Sequence, residues 1–271
     1  MSARLVRPHG RSVRHLEEVW GTVVMLDIRD PEGTLPSGRA VEAAVAAAVR
    51  EMHWVDEVFS TFRQDSEVSR VRRGDMPVGA LDAGDPRQSA LHEVIERCWT
   101  AHRVTEGAFD PWSVAGGFDP SGLVKGWAAQ RLADLLVVAG FDHLSVNAGG
   151  EVATRGLSGP DTPWRIGIRH PDHTREVAAV VVPGDGMVAT SGRYERGVRV
   201  RDPDTGTAAA GARSATVIGP DGGLADALST ALLITGRAGA GWFDRLPGWS
   251  AFVVDPDPRK TSWVIGPAFG G

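Results

Sequence analysis

Residues 105–129 have the sequence TEGAFDPWSVAGGFDPSGLVKGWAA, which lies between two segments with a helical pattern. The stretch combines two Asp-Pro steps with several glycines and one lysine, and this composition predicts an irregular loop leading into a helix. A helix start attracts anions because its first N–H groups lack intrahelical partners and the helix dipole is positive there. The segment Asp119-Pro120-Ser121-Gly122 is therefore either a site for a phosphorylated ligand or an ordinary capping loop.

Helical patterns flank this loop on both sides. Upstream, residues 38–62 carry apolar side chains at three- and four-residue spacing, which predicts a helix. An Asp-Pro step then provides the cap and the first-turn proline of a helix over residues 86–103. Downstream, residues 123–139 predict a helix that ends at Gly140.

The second half of the chain consists mainly of short segments rich in β-branched residues, separated by Gly, Pro and Asp turns. Residues 19–29 predict a strand near the N-terminus, and residues 224–235 predict a helix among the later strands. Helices thus lie mainly in the first half and strands in the second. This order predicts an α+β fold, a single compact domain with mixed or antiparallel sheets. We expect a flexible N-terminal arm over residues 1–18 and one domain over residues 19–271.

The composition is typical of a globular protein, with 271 residues, 42% of them hydrophobic, and a formal net charge of -5. A net negative charge argues against nucleic-acid binding. A run of about 18 apolar residues is absent, so no membrane span is expected, and the lack of a signal-peptide core favours a cytoplasmic location. The single cysteine, Cys98, lies in a helical pattern and is expected to be buried and inert. The oligomeric state stays open.

Asp226 and Thr230 are four residues apart on one face of a predicted helix, with Ser229 at the edge of that face. A carboxylate, a hydroxyl and a nearby backbone carbonyl form the hard oxygen set that Mg²⁺ prefers, and water and phosphate oxygens complete its coordination. Taken alone, the pair is more simply explained as a first-turn acid favoured by the helix dipole and a surface hydroxyl, because acids at helix starts are common. The sequence has no His–Cys cluster with zinc spacing.

Two glycine-containing turns follow predicted strands. NAGGE at residues 147–151 either lets a ligand approach the main chain or forms a tight hairpin. ATSGRY at residues 189–194 either binds phosphate or ribose through its hydroxyls and glycine N–H, or forms a capped turn. Neither turn is a Walker loop, and the sequence contains no G-x-G-x-x-G.

Seven separated segments together resemble the FAD:protein FMN transferases, the ApbE-like flavin transferases. In chain order they are FSTFRQDSEVSR, GAFDP, DPSGLVKGWA, NAGGE, ATSG, DPDTG and ADALSTAL, and the resemblance extends over about residues 20–265. It implies an α+β fold of the ApbE type, similar to the T-fold. It also implies an Mg²⁺-dependent enzyme that cleaves FAD, attaches FMN through its phosphate to a threonine hydroxyl of an acceptor protein, and releases AMP.

The resemblance also implies roles for individual residues. The metal ligands would be the carbonyl of Gly122 together with Asp226 and Thr230, and also Ser229, which lies where some members carry a second acid. Contacts to FAD are implied for main-chain groups, aromatic rings and charged side chains at Trp20, Phe62, Ala108, Phe109, Asp110, Asp119, Lys125, Gly149, Gly150, Ser191, Gly192 and Arg201.

One position departs from the family pattern. Many relatives carry a histidine, proposed to handle a proton, three residues before the aspartate of the DPxTG segment, where this chain has Arg199. Arginine cannot act as a general base near neutral pH, although it can stabilise phosphate charge. The proton could instead leave through Asp226, Asp202 or a metal-bound water. Two alternatives therefore stay open: an Mg²⁺-dependent FAD pyrophosphatase that produces FMN and AMP, and a non-catalytic FAD-binding protein.

Overall fold

The computed structural model describes residues 4–6, 12–31, 33, 38–173, 175–193, 200–257 and 262–269. Its strands in chain order are β1 (Arg4–Val6), β2 (Ser12–Val19), β3 (Thr22–Arg29), β4 (Leu144–Ala148), β5 (Val152–Arg155), β6 (Leu157–Gly159), β7 (Thr162–Pro163), β8 (Ile166–Arg169), β9 (Val177–Val181), β10 (Met187–Gly192), β11 (Ser214–Gly219), β12 (Ser250–Val254) and β13 (Ser262–Ile265). Its α-helices are α1 (Gly38–Phe59), α2 (Glu67–Arg72), α3 (Pro86–Val104), α4 (Ser121–Val138), α5 (Gly222–Thr235) and α6 (Ala240–Phe243).

Nine of these strands form one sheet in the order β1-β2-β3-β4-β5-β10-β11-β12-β13, and the hairpins β6–β7 and β8–β9 lie outside it. Every described strand pair is antiparallel. The helices pack on one face of the sheet, where alternate residues such as Val24, Leu26 and Ile28 are buried. A smaller apolar cluster covers part of the other face, formed by Val152, Ile168, Val181, Val188, Ile218 and Phe252. The predicted α+β fold is confirmed.

One prediction for the N-terminal region is wrong: residues 12–18, expected in a flexible arm, belong to β2. The strand predicted over residues 19–29 is confirmed as β3 from Thr22 onward, and it pairs with β2 in a hairpin that the sequence pattern did not indicate. Trp20 and Gly21 form its two-residue turn with φ angles of 57° and 70°. A turn of this type needs positive φ at both positions, and only the glycine signals this in the sequence. The charged and apolar residues mixed in β2 do not give the continuous apolar pattern by which a buried strand is recognised.

The predicted cap of α3 is confirmed, since Asp85 accepts the N–H of Arg87 at 2.8 Å. At the start of α2, Ser66 accepts the N–H of Ser69 at 3.0 Å. Cys98 is buried in α3, and burial raises the pKa of its thiol, so it stays protonated and inert near neutral pH. The described helices include none with the length and apolar character of a membrane span.

Helices α4 and α5 cross in close contact because glycines lie at the crossing. A Cβ atom on Gly126 would overlap the carbonyl oxygen of Gly222, and a Cβ atom on Gly222 would overlap the carbonyl oxygen of Gly126. A larger residue at either position would push the helices apart. The crossing brings the first turn of α4 next to the middle of α5, which carries Asp226 and Thr230.

Candidate active site

The first turn of α4 is irregular. Pro120, its N-cap, makes no side-chain capping bond, and Asp119 Oδ1 accepts the N–H of Ser121 at 3.0 Å. Gly122 departs from helical geometry, with φ of -81° and ψ of 15°. Backbone groups at this end of the helix are therefore not all used by the helix itself, as an anion site requires.

Asp226 on α5 contacts this turn. Asp226 is only 2% exposed, and its Oδ2 accepts the N–H of Gly126 at 3.2 Å. In a regular helix the N–H of Gly126 would donate to the carbonyl of Gly122. Here Asp226 shares that donor, so the Gly122 carbonyl oxygen can accept from or coordinate another group. A Cβ atom built on Gly122 would lie 3.4 Å from Thr230 Oγ1 and 3.3 Å from Phe109 Cε2. Gly122, Asp226 and Thr230 thus lie together, at what we call the α4–α5 junction.

Three hydroxyl groups meet at the junction. Ser191 Oγ, on β10, lies 2.8 Å from Ser229 Oγ and 3.1 Å from Thr230 Oγ1. Ser229 also donates a hydrogen bond to the carbonyl oxygen of Asp226 at 2.9 Å. Ser191 and Ser229 are buried, so they are linked to protein groups and shielded from bulk water.

Successive side chains of β10 point to opposite faces of the sheet, so the hydroxyls of Thr190 and Ser191 in the ATSG segment lie on different faces. Thr190 faces the opposite side of the sheet, where its Oγ1 lies 2.9 Å from Thr216 Oγ1 on β11. Gly192 is the last residue of β10 and pairs with Ser214. Ser191 is therefore the hydroxyl of this segment that contacts the junction.

A buried ion pair joins α4 to the turn between β4 and β5. Lys125 Nζ lies 3.0 Å from Glu151 Oε2, and Glu151 is only 1% exposed. Burial raises the pKa of Glu151 above its ordinary value, and the Lys125 ammonium acts in the opposite direction. In the turn, Asn147 Oδ1 accepts the N–H groups of Gly149 and Gly150 at 3.1 and 3.4 Å. The ion pair thus connects Lys125 to the turn of Gly149 and Gly150, all three of which are predicted to contact FAD.

The aromatic residues expected at the flavin differ in accessibility. Phe62 is 88% exposed and makes no ring contact within the described part of the chain. Trp20 is half-buried and donates its indole N–H to the carbonyl of Met52 at 3.0 Å. Phe109 is buried beside Gly122. Phe62 therefore has the most surface to offer a ligand, and the contacts assigned to all three stay predictions.

The remaining residues of the central loop are held by local bonds. Asp110 Oδ1 accepts the N–H of Trp112 at 2.8 Å, and the preceding Ala108 is partly buried against the core. Asp119 Oδ2 lies 3.8 Å from Arg72 Nη1, which links the start of α4 to α2. These contacts fix the shape of the loop, and its role toward FAD stays a prediction.

The segment expected to handle the proton is only partly described. Arg199 lies outside the described residues. Asp202 Oδ1 accepts the N–H of Asp204 at 2.9 Å, and Arg201 donates to the carbonyl of Gly206 at 2.8 Å. Both side chains thus stabilise their own turn in the described structure, which shows no bond from them to the junction.

Sequence reasoning did not assign a role to Glu151 or Gln130. Glu151 is part of the NAGGE segment, but its partner Lys125 is 26 residues away, so only the fold reveals the pair. Gln130 Oε1 accepts the N–H of Gly222 at 2.6 Å, at the start of α5. The sequence indicates this contact only weakly, through the position of the polar Gln130 among the apolar residues of α4.

The donor set at the junction suits a hard cation. Within the described residues, no group of three or more His, Cys, Asp and Glu side chains is placed to hold a metal. The junction instead combines one carboxylate with hydroxyl and carbonyl oxygens. Mg²⁺ is typically bound by one or two carboxylates and completes its coordination with water and substrate phosphates.

Comparison with known proteins identifies the family. The model of the ApbE family matches residues 20–116 and 115–253. The chain belongs to the ApbE family. This agrees with the resemblance of its seven motifs, two of which, DPSG and ADALSTAL, supply the residues of the junction.

Curated ApbE relatives carry the name FAD:protein FMN transferase. The relative from Vibrio cholerae is 37% identical over 129 residues, which are 44% of this chain and 39% of that protein. The Treponema pallidum relative is 31% identical over 209 residues, 67% of this chain and 58% of that protein. The Escherichia coli relative is 33% identical over 161 residues, 56% of this chain and 46% of that protein. The chain therefore matches less than two thirds of the length of each.

Solved ApbE structures share the fold over almost the whole chain. The flavin transferase ApbE from Vibrio cholerae superposes with a TM-score of 0.75 at 22% identity and covers 97% of both chains. The ApbE protein from Thermotoga maritima has a TM-score of 0.74 at 22% identity and covers 90% of this chain and 94% of its own. The described sheet and helices are thus those of the ApbE fold.

Proposed function

We propose that this protein is an Mg²⁺-dependent flavin transferase. It cleaves FAD, attaches FMN through a phosphoester to a threonine of an acceptor protein, and releases AMP. The names of its curated relatives support the reaction class, and its family membership supports FAD as the substrate. The threonine acceptor is implied by the resemblance to the family, the metal by that resemblance and the oxygen donors, and the cytoplasmic location by the sequence; all three stay predictions.

The observation that carries this proposal is the α4–α5 junction. A distorted helix start lies against a buried carboxylate and a hydroxyl from a second helix. The helix start suits the pyrophosphate of a dinucleotide, and the carboxylate suits a divalent cation beside it. Neither feature is needed to stabilise a helix crossing, because an apolar contact would bury the same surface without placing a charge in the interior.

Asp226, Thr230 and the carbonyl of Gly122 would hold the cation, with Ser229 in direct contact with the set. When bound, Mg²⁺ neutralises charge on the phosphates and thereby favours cleavage of the pyrophosphate bond. The oxygen donors fit this role because Asp226 supplies one negative charge in a buried place and the neutral donors add no further repulsion.

The other residues of the pocket bind and orient the substrate. Lys125 donates to phosphate oxygens, and its bond to Glu151 restricts where its ammonium can lie. The N–H groups of Gly149 and Gly150 offer main-chain contacts, and Phe62 offers a face on which the flavin ring stacks. The acceptor threonine is a weak nucleophile, so its positioning supplies much of the rate, and Asp226 or Asp202 takes its proton.

A second function, hydrolysis of FAD to FMN and AMP, uses the same pocket. Arg199 in place of the family histidine favours it, because arginine does not take a proton from a threonine near neutral pH. A non-catalytic FAD-binding protein is the third candidate, and the Asp226–Thr230 pair argues against it since binding alone does not need a metal site.

One labelling experiment distinguishes these functions. The protein is incubated with FAD, Mg²⁺ and a candidate acceptor protein, and the products are separated under denaturing conditions. Flavin fluorescence that stays on the acceptor after denaturation supports the transferase. Free FMN without labelled acceptor supports the pyrophosphatase, and unchanged FAD supports the binding protein. An acceptor with its target threonine replaced by valine serves as the matched control.

A further inference from the structure

The hydroxyls of Thr230, Ser191 and Ser229 form a chain of hydrogen bonds with a defined direction. Each hydroxyl has one proton to donate and two lone pairs that accept. The chain ends at the carbonyl oxygen of Asp226, which can only accept. The three contacts are Thr230–Ser191, Ser191–Ser229 and Ser229 to the carbonyl, and three hydroxyl protons are available for them. Because the carbonyl can only accept, it fixes which hydroxyl donates in each contact.

The assignment starts at Ser229. Its Oγ lies 2.9 Å from the carbonyl oxygen of Asp226, and two oxygens at this distance repel each other unless the hydroxyl donates. Ser229 is fully buried, so water cannot take part. With the proton of Ser229 used, its 2.8 Å contact with Ser191 requires Ser191 to donate.

The same counting then decides the direction at Thr230. The proton of Ser191 points to Ser229, so the 3.1 Å contact between Ser191 and Thr230 requires Thr230 to donate. Thr230 Oγ1 consequently turns its proton toward β10 and away from Gly122. Toward the first turn of α4 it presents lone pairs alone.

We infer that Ser191 and Ser229 are positioning residues that lock the Thr230 hydroxyl as a pure acceptor for a cation. The inference rests on the proposed function, since it gives the cation site its orientation. A free hydroxyl would spend part of its time with the proton aimed at the cation, and turning it away would weaken binding. The buried serines fix the orientation of the Thr230 hydroxyl before the cation binds, so binding does not have to reorient it.

A binding experiment with a double-mutant cycle tests this inference. Mn²⁺ binding in the presence of FAD is followed by the loss of the free Mn²⁺ EPR signal, so the readout does not depend on turnover. Ser191→Ala is expected to raise the Kd for Mn²⁺ about fivefold, the effect of one hydrogen bond. Thr230→Val is expected to raise it further. The double variant is expected to match Thr230→Val alone, because Ser191 acts only through Thr230.

Two more variants complete the design. Ser229→Ala interrupts the same chain at a second point and is also expected to weaken Mn²⁺ binding, with no effect in the Thr230→Val background. Thr216→Val removes a buried hydroxyl from the pair on the opposite face of the sheet, so it is the matched control and is expected to leave the Kd unchanged. Thermal unfolding of each variant verifies that it is folded.

The two possible failures give different results. Independent, additive effects of Ser191→Ala and Thr230→Val would overturn the directed chain while leaving the metal site intact. An unmodified protein that does not bind Mn²⁺ together with FAD would instead overturn the metal site of the proposed function.

Discussion

Asp226 is the acidic residue of the α4–α5 junction, and it is buried against the backbone of α4. Asp226→Asn keeps the size of the side chain and an oxygen that accepts from Gly126, but it removes the charge. We expect Mg²⁺-dependent FAD turnover to fall by at least about 10–100-fold, the loss found when a group that only supports a metal ligand is removed. Initial rates measured across Mg²⁺ concentrations provide the test.

The matched control for this change is Asp244→Asn, which removes one negative charge from an exposed position at the end of α6. Circular dichroism spectra should show that both variants are folded. Full Mg²⁺-dependent turnover in the Asp226 variant would refute its assignment as a metal ligand.

Phe62 differs from the other aromatic residues because it is almost fully exposed. Phe62→Ala is therefore expected to leave the free energy of unfolding within about 0.5 kcal/mol of the unmodified protein. Stacking on a ring is worth about 1–3 kcal/mol, so the KM for FAD should rise about 5- to 150-fold. At saturating FAD, kcat should change little, because a stacking contact binds ground state and transition state alike.

Val138→Ala offers a matched control, since Val138 is equally exposed at 88% and ends α4 away from its first turn. Steady-state kinetics of both variants measure the difference. An unchanged KM for FAD in Phe62→Ala would rule out the stacking role.

Among the elements, the crossing of α4 and α5 determines whether the junction exists at all. Gly126→Ala places a Cβ atom on the carbonyl of Gly222, and the helices have to separate. Overpacking of this kind destabilises proteins by about 1–3 kcal/mol. Urea unfolding should show that loss, and Mg²⁺-dependent turnover should fall with it because Asp226 moves away from α4.

Gly241→Ala on α6 is the control, since a Cβ atom there meets nothing within 4 Å. It is expected to stabilise the protein slightly, by about 0.4–1 kcal/mol, through the lower entropy of the unfolded chain. Equal stability of the two alanine variants would show that the crossing tolerates a side chain.

The ion pair between α4 and the β4–β5 turn makes a prediction about pH. Lys125→Met leaves Glu151 buried without its cation, so the pKa of Glu151 in the folded state rises further. The folded state then holds a proton that the unfolded state releases above about pH 4.3. Stability therefore falls as pH rises, and the loss relative to the unmodified protein should be larger at pH 8 than at pH 5.

Breaking a buried pair costs about 3–5 kcal/mol when the remaining charge is uncompensated, and this applies at pH 8. Urea unfolding at the two pH values measures it. The double variant Lys125→Met with Glu151→Gln removes both charges and should lose most of the pH dependence. A loss of the same size at pH 5 and pH 8 would contradict the role assigned to Glu151.

At the scale of the whole molecule, local patterns predicted the helices well. The periodicity of residues 38–62 and the Asp-Pro cap before α3 depend on neighbouring residues alone, and the structure confirms both. The β2–β3 hairpin was missed because Trp20 adopts positive φ, which an aromatic residue does not signal. Local sequence therefore predicts elements better than it predicts unusual turns.

The candidate site was predictable only as a set of separate residues. Asp226 and Thr230 share a helix face by spacing, but their contact with Gly122 spans more than one element and needs the glycine crossing. The bonds of Ser191 to Ser229 and Thr230 join residues 38 and 39 positions apart. No periodicity encodes such contacts. The resemblance to a family grouped Gly122, Asp226 and Thr230, whereas the bonds of Ser191 are seen only in the structure.

The proposed site also predicts how ligands stabilise the whole protein. A ligand that binds only the folded state at 100 times its Kd adds about 2.7 kcal/mol. For a chain of this size that shift is worth about 5–10 °C in Tm. A cation at the proposed site would need phosphate oxygens to complete its coordination. Mg²⁺ alone should therefore change Tm little, and FAD with Mg²⁺ should raise it by more than the two separate shifts combined. Differential scanning fluorimetry measures Tm without ligand, with Mg²⁺, with FAD and with both. Asp226→Asn should keep the FAD shift and lose the excess, whereas simple additivity in the unmodified protein would contradict a cation held between α4, α5 and the substrate.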